Sequence, residues 1–158
     1  MEDCVQTNGI HIREAEESDL PAIEELVLEL ADAMDCRDGI DVDGVYERCC
    51  DILNEVNSCI LVAEADGAVV GFINFTTRKT LLHSAPSALI DELVVAGSFR
   101  SKGLGRELLN AAVEKCRQLG CCEVEVSTEF TNTGAREFYK RCGFQERGVI
   151  LEKDLEKD

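Results

Sequence analysis

Apolar and polar residues alternate from Gly9 to Ala15, with Ile10 and Ile12 set against His11 and Arg13, and this period of two predicts a first strand. The period then lengthens. Leu20, Ile23, Val27, Leu30 and Met34 form a helical stripe that opens at Ser18, a good N-cap, with Pro21 tolerated in the first turn. A Gly- and Asp-rich stretch, Asp35 to Gly44, breaks the stripe, and a second helix is expected from Val45 to about Val56. Two apolar runs, Cys59–Ala65 and Val69–Phe75, flank Asp66-Gly67, the residue pair of a tight hairpin turn. Thr80–Ser87 reads as a connector and Ala88–Ala96 as a further strand. A longer helix follows, with Leu104, Leu108, Leu109, Ala112, Val113 and Cys116 on one face and Gly120 ending it. Alternation returns over Cys121–Thr128, then a short helix is expected over about Gly134–Cys142 and a last strand near Gly148–Lys153. The order β-α-α-β-β-β-α-β-α-β predicts an α/β (α+β) protein, a mixed sheet covered by helices. With no repeat, linker or low-complexity segment, the 158 residues read as one domain, 1–158.

An apolar fraction of 45% and a charged fraction of 30% fit a soluble globular chain. No apolar run is long enough to span a bilayer, and Met1-Glu2-Asp3-Cys4 lacks the basic start of a signal peptide, so the expected compartment is the cytoplasm. The net charge of −16 argues against nucleic acid or an anionic membrane as partner. That charge is uneven. Residues 1–60 hold 17 acids and 3 bases, whereas residues 61–158 hold 15 acids and 13 bases. Nine cysteines invite a metal or disulfide reading, but there is no C-x-x-C, and Cys49-Cys50 and Cys121-Cys122 are adjacent. Reduced thiols serving as small core residues, and no metal, are the expectation.

Between the strand at 88–96 and the helix at 104 lies Arg100-Ser101-Lys102-Gly103-Leu104-Gly105. A glycine-bearing loop that opens a helix turns backbone N–H groups toward one point at the positive end of the helix dipole, a geometry that binds phosphate. Gly103 and Gly105 let the backbone approach a bulky anion, and Arg100, Lys102 and Arg106 add charge.

About thirty residues on stands Asn132-Thr133-Gly134-Ala135-Arg136-Glu137-Phe138-Tyr139-Lys140-Arg141-Cys142-Gly143-Phe144. Together the two segments resemble the GNAT superfamily of acetyl-coenzyme A-dependent N-acetyltransferases, which carries [R/Q]-x-x-G-x-[G/A] and, downstream, N-x-x-A-x-x-x-Y-x-x-x-G-F. The resemblance covers roughly residues 9–156. It implies the GNAT acyltransferase fold, with helices on both faces of a mixed, splayed sheet. It also implies acetyl-CoA as co-substrate and direct attack of a primary amine on the thioester. Residues 100–106 (Arg100, Ser101, Lys102, Gly103, Leu104, Gly105, Arg106) would take the pyrophosphate. Leu93, Val94 and Val95 would hold the pantetheine arm by backbone hydrogen bonds, with the N–H of Val95 or a neighbour polarising the thioester carbonyl. Asn132 matches a cofactor contact, and Tyr139 matches the acid that protonates the leaving thiolate. One position departs from the pattern: many family members have proline three residues before the motif arginine, and this chain has Gly97.

An ammonium with pKa near about 10.4 must lose a proton before it attacks, so a base is needed. Asp91 and Glu92, on the strand before the loop, stand where family members often carry an acid. Strict alternation would turn only one of them to the cleft, with Glu92 preferred. Glu125, opposite in facing to Cys122, Val124 and Val126, is a third candidate. The acidic first sixty residues suggest a cationic acceptor, a polyamine or aminosugar, with a basic peptide or protein N-terminus as the other option. A homodimer is left open. The alternative from another class is a catalytically silent acyl-CoA-binding sensor or scaffold, which needs the loop but neither Tyr139 nor the carboxylates.

Overall fold

A computed structural model describes residues 6–7, 9–33 and 41–155. The chain divides into two compact units, 1–125 and 126–158. In the first, β1 (Gln6–Thr7), β2 (Ile10–Glu14), β3 (Ser58–Ala65), β4 (Ala68–Arg78), β5 (Ser87–Val95) and β6 (Glu123–Val126, whose last residue opens the second unit) form one sheet in that order. The pairs from β1 to β5 are antiparallel. Between β5 and β6 the chain crosses over through a helix, the connection that parallel neighbours require, and the sheet is mixed.

The hairpin expected at Asp66-Gly67 is present. Asp66 (φ 50°) and Gly67 (φ 79°) both take positive φ, the turn whose twist matches the flanking strands, and Ala65 pairs with Ala68 across it. Two helices, α1 (Leu20–Ala33) and α2 (Val45–Asn54), cover one face of the sheet. Leu20, Ile23 and Leu26 of α1 and Val45 and Cys49 of α2 pack there on Ile60, Val62, Phe72 and Val94. The opposite face takes α3 (Leu104–Gln118), whose predicted stripe is buried at Leu104, Leu108, Leu109, Ala112 and Cys116. Gly120 ends that helix at φ 77°, the left-handed cap that glycine favours.

Three expectations need revision or fall outside the described residues. Ser18 is not the cap of α1. The helix is entered through a 3-10 turn over Glu17–Asp19, in which the Asp19 carboxylate accepts the Glu16 N–H (2.8 Å) and is gripped by both terminal nitrogens of Arg13 (2.7 and 2.9 Å). Arg13 also holds Glu64, so one guanidinium joins β2, β3 and the start of α1. The last strand, near 148–153, does not form. Val149, Ile150 and Leu151 are exposed, and residues 144–155 have no regular structure. Met34 and most of the predicted 35–44 break lie outside the described residues.

In the second unit α4 (Thr133–Arg141) begins where expected, because Asn132 Oδ1 accepts the Ala135 N–H at 3.0 Å. Among the described residues no helix is long and apolar enough to cross a membrane.

Candidate active site

β5 carries the chemistry-bearing groups of the first unit. Its register against β4 runs Gly71–Val95, Phe72–Val94, Ile73–Leu93 and Asn74–Glu92, and then slips so that Phe75 faces Ile90. Asp91 is therefore an extra residue, a β-bulge, and the bulge changes what the strand displays. Asn74 shares a face of β4 with Phe72, two residues away, which packs against α1 and α2; its partner Glu92 points the same way. Asp91 turns to that face as well and accepts a hydrogen bond from Thr76 Oγ1 at 3.2 Å. Strict alternation would have separated the two acids. The bulge brings both to one side.

Removal from water pushes both carboxyls above the ordinary range, although each residue keeps substantial exposed surface. For Asp91 the Thr76 hydroxyl opposes the rise. For Glu92 the neighbouring Asp91 charge adds to it and Asn74 opposes it. Asn74 is buried, at 4% exposure, and its Oδ1 also accepts the Glu92 N–H at 3.0 Å, which fixes the strand beside the carboxyl. Asn74 and Thr76 were not anticipated. A polar residue inside the apolar run 69–75 was the signal for Asn74; nothing in the pattern marked Thr76.

The Ala96 N–H donates to Val70 O at 2.9 Å, so its neighbour Val95 directs N–H and C=O away from β4, and Leu93 does the same. β6 is four residues long and starts alongside Pro86, whose carbonyl accepts the Cys122 N–H at 2.9 Å. At strand rise it runs beside the first half of β5 only, leaving the outward groups of 93–95 beyond its end. Gly71 lets β4 approach β5 closely here: a Cβ at that position would stand 2.9 Å from Val94 O and 3.2 Å from Leu108 Cδ1.

The loop that follows turns tightly, with Ser101 at φ 61° and Gly103 at φ 86°. A non-glycine residue held in the left-handed region is uncommon and marks a constrained segment. Gly103 is the N-cap of α3, so the N–H groups of Leu104, Gly105 and Arg106 open the helix without intrahelical partners. These are the groups able to hold phosphate. Of the three loop cations, Lys102 lies 5.3 Å from the centre of the Phe99 ring and Arg106 is exposed. Arg100 folds back, its Nε donating to Val95 O at 2.9 Å.

Glu125 is engaged in an ion pair with Arg78. A carboxylate already neutralised by a guanidinium is a poorer base candidate than the 91–92 pair. A recess of about 480 Å³ lined by Asn57, Thr77, Arg78, Lys79 and Pro86 lies at this end of β4. Arg78 is seven residues from Gly71, roughly 24 Å at strand rise, so the recess is remote from Val95.

In the second unit Tyr139 is half-buried between Phe138 and Phe144, with ring centres 5.1 and 5.6 Å away and edge-on. Burial raises its phenol above the usual value, and the Cys142 thiol adds to the shift. The hydroxyl thus stays protonated at neutral pH. Asn132 spends its side-chain oxygen on the α4 cap. Arg136 is tied to Glu146 (2.8 Å) and Phe130 O (3.0 Å) and stacks on the Phe130 ring.

Seven cysteines among the described residues are free thiols, of which Cys49 and Cys116 are core. Burial pushes Cys59 up to about 11 and Cys116 up to about 12, and it also raises Cys49, where the Glu92 charge adds to the rise. Thiols so disfavoured as thiolates are poor nucleophiles.

Three comparisons bear on this arrangement. The family model for the acetyltransferase (GNAT) family matches residues 23–144. The chain is 31% identical over 132 residues to the aminoalkylphosphonate N-acetyltransferase of Salmonella typhimurium, covering 73% of this chain and 86% of that one. It is 37% identical over 93 residues to the uncharacterized N-acetyltransferase MJ1207 of Methanocaldococcus jannaschii, spanning 56% of this chain but 40% of that protein's length. Among solved structures, an aminoglycoside N-acetyltransferase crystallised with coenzyme A superimposes with a TM-score of 0.80 at 24% identity, over 94% of this chain and 97% of that one.

Proposed function

This chain belongs to the GNAT acetyltransferase family, and on that premise we propose that it moves an acetyl group from acetyl-CoA directly to a primary amine, with a cationic small molecule as acceptor. The observation that carries the reading is the bulge at Asp91, which sets two carboxyls on one face of β5, the strand that leads into the glycine loop opening α3. The CoA-bound structural neighbour and the aminoalkylphosphonate and aminoglycoside enzymes support the cofactor and a small-molecule amine as acceptor; the cationic character rests on the acidic first sixty residues.

In this mechanism the N–H groups at the start of α3 hold the pyrophosphate, and the outward groups of Leu93 and Val95 hold the pantetheine arm. The Val95 N–H polarises the thioester carbonyl, a contribution of about 3 kcal/mol in comparable oxyanion sites. Glu92, assisted by Asp91 beside it, accepts the ammonium proton directly or through water. The amine nitrogen bonds to the carbonyl carbon and sheds its second proton, the carbon–sulfur bond breaks, and the thiolate takes a proton, the role that the family pattern gives to the Tyr139 hydroxyl, which the second amine proton then restores. The raised pKa of Glu92 brings it nearer that of the amine, which improves proton acceptance. The protonated, buried thiols favour direct transfer over an acetyl-cysteine intermediate.

The test is coenzyme A release from acetyl-CoA across polyamines, aminosugars, aminoalkylphosphonates, amino acids and basic peptides, with Tyr139→Phe alongside. We expect turnover with at least one cationic small amine, and a mutant with kcat lowered about 10²-fold and coenzyme A affinity nearly unchanged. Coenzyme A binding without turnover on any amine would replace this reading with the sensor.

A further inference from the structure

The exit from β5 is held from outside the loop. Glu29, on the exposed side of α1, accepts two hydrogen bonds at one oxygen: Gly97 N–H donates to Oε1 at 2.9 Å and Arg100 Nη2 at 3.3 Å. Arg100 in turn donates to Val95 O. These contacts tie α1 to the first residue of the 3-10 turn Gly97–Phe99, to the residue that opens the loop, and to the last residue of β5.

Position 97 is informative because its backbone would accept the proline of the family pattern. Ala96 lies at φ −51°, ψ 142°, the extended conformation that a following proline imposes, and the first position of a helical turn suits proline's fixed φ. A proline there has no N–H to give. A Cβ at 97 would also stand 3.1 Å from Glu29 Oε1. This chain holds its strand exit with a hydrogen bond to a neighbouring helix where a ring would otherwise stiffen it.

Charge alone argues the other way. A carboxylate beside a loop that binds a polyanion repels its ligand, although at physiological salt an exposed charge is largely screened beyond about 8 Å. A short hydrogen bond to a charged acceptor outweighs that screened repulsion. We propose that Glu29 is a positioning residue for the cofactor: it anchors Gly97 and Arg100 to α1 and so keeps the 100–106 backbone turned toward phosphate. The proposal rests on the reading of residues 100–106 as the pyrophosphate loop. Because α1 packs on the face that carries Asp91 and Glu92, the same contact links that face to the cofactor loop.

The experiment measures coenzyme A Kd by calorimetry, and KM for acetyl-CoA, KM for the amine, and kcat by coenzyme A release. The variants are Glu29→Ala, Glu29→Gln, Gly97→Pro and the Glu29→Ala/Gly97→Pro double. Glu29 has 44% of its side chain exposed, so the alanine variant keeps its core. For Glu29→Ala we expect coenzyme A Kd and acetyl-CoA KM to rise about tenfold, the value of a lost hydrogen bond to a charged group. The amine KM and kcat should stay within about twofold, the split expected when only cofactor binding is touched. Glu29→Gln, which still accepts the Gly97 N–H, should recover most of the affinity. Gly97→Pro, which loses the Gly97 donor but gains the stiffness of the ring and keeps the Glu29–Arg100 contact, should stay nearer the wild type than Glu29→Ala, and the double should be no worse than Glu29→Ala. An unchanged or tighter Kd in Glu29→Ala, or a lowered Tm with no change in acetyl-CoA KM, overturns the proposal. Gly105→Asp, which sets a carboxylate among the N–H groups that open α3, separates the two readings. If it loses coenzyme A affinity while Glu29→Ala does not, only the Glu29 role fails. If it binds coenzyme A as the wild type does, the loop reading fails and the proposal with it.

Discussion

In the proposed mechanism single residues decide the proton chemistry, and Glu92 is the base. Its folded pKa lies above the unfolded value, so the native state binds more protons than the unfolded chain as the group titrates. Stability therefore falls as pH rises through that window, and above the folded pKa the ionised carboxyl is a standing cost to the fold. Glu92→Gln removes both the cost and the base. We expect kcat/KM to fall at least about 10²-fold, with loss of an acid limb placed above the ordinary glutamate value of about 4.3. The same variant should melt higher than wild type at pH 8, with the difference fading toward pH 4. A pH–rate profile and paired melting curves check both, and a variant that melts lower at pH 8 would contradict the desolvation account.

At the scale of elements, the bulge in β5 and the glycine opposite its end shape the site together. Gly71 admits β5 to within contact of β4 at Val94–Val95, while the slip at Asn74/Phe75 re-aims Asp91. A Cβ at position 71 meets backbone oxygen at 2.9 Å, which a rotamer change cannot relieve. Gly71→Ala should cost about 1–3 kcal/mol, as overpacking does, and should raise acetyl-CoA KM by shifting the strand proposed to hold the cofactor arm. Denaturant unfolding and steady-state kinetics measure the two effects. A variant as stable as wild type would show that β4 yields easily there. The strand exit is the other element-scale device, held by α1 through Glu29.

For the whole molecule the uneven charge matters most. On the proposed reading the cofactor's polyanion and a cationic acceptor make opposite demands, and the charge is divided accordingly: the first sixty residues are strongly acidic and the remainder nearly neutral. If that field steers the acceptor, kcat/KM for a cationic amine should fall as salt rises from 20 to about 300 mM, across which the screening length drops well below the protein's size. The same measurement with a neutral amine should stay flat. Equal salt dependence for both would assign the acidity to solubility.

The elements were legible in the sequence wherever periodicity or turn chemistry acted locally: the helical stripes, the Asp66-Gly67 hairpin, the glycine loop that opens α3, the Asn132 cap. The paired motifs around Arg100 and Tyr139 likewise marked the family from residue type and spacing alone. What the sequence could not specify depended on register and on partners distant along the chain. Strict alternation separated Asp91 from Glu92, and only pairing with β4 revealed the bulge that unites them. Ser18 had the better local claim to cap α1, yet Asp19 holds the turn because Arg13 reaches it from β2. Asn74 showed as an anomaly in an apolar run, but its purpose appeared only when β5 lay beside it. Glu29 gave no signal at all, since its partners Gly97 and Arg100 lie 68 and 71 residues away. Local backbone preference is encoded residue by residue and can be read that way; the meeting of side chains across strands and helices is fixed by the packed chain, so tertiary structure alone decided which carboxylates share a face and which one bonds to the strand exit.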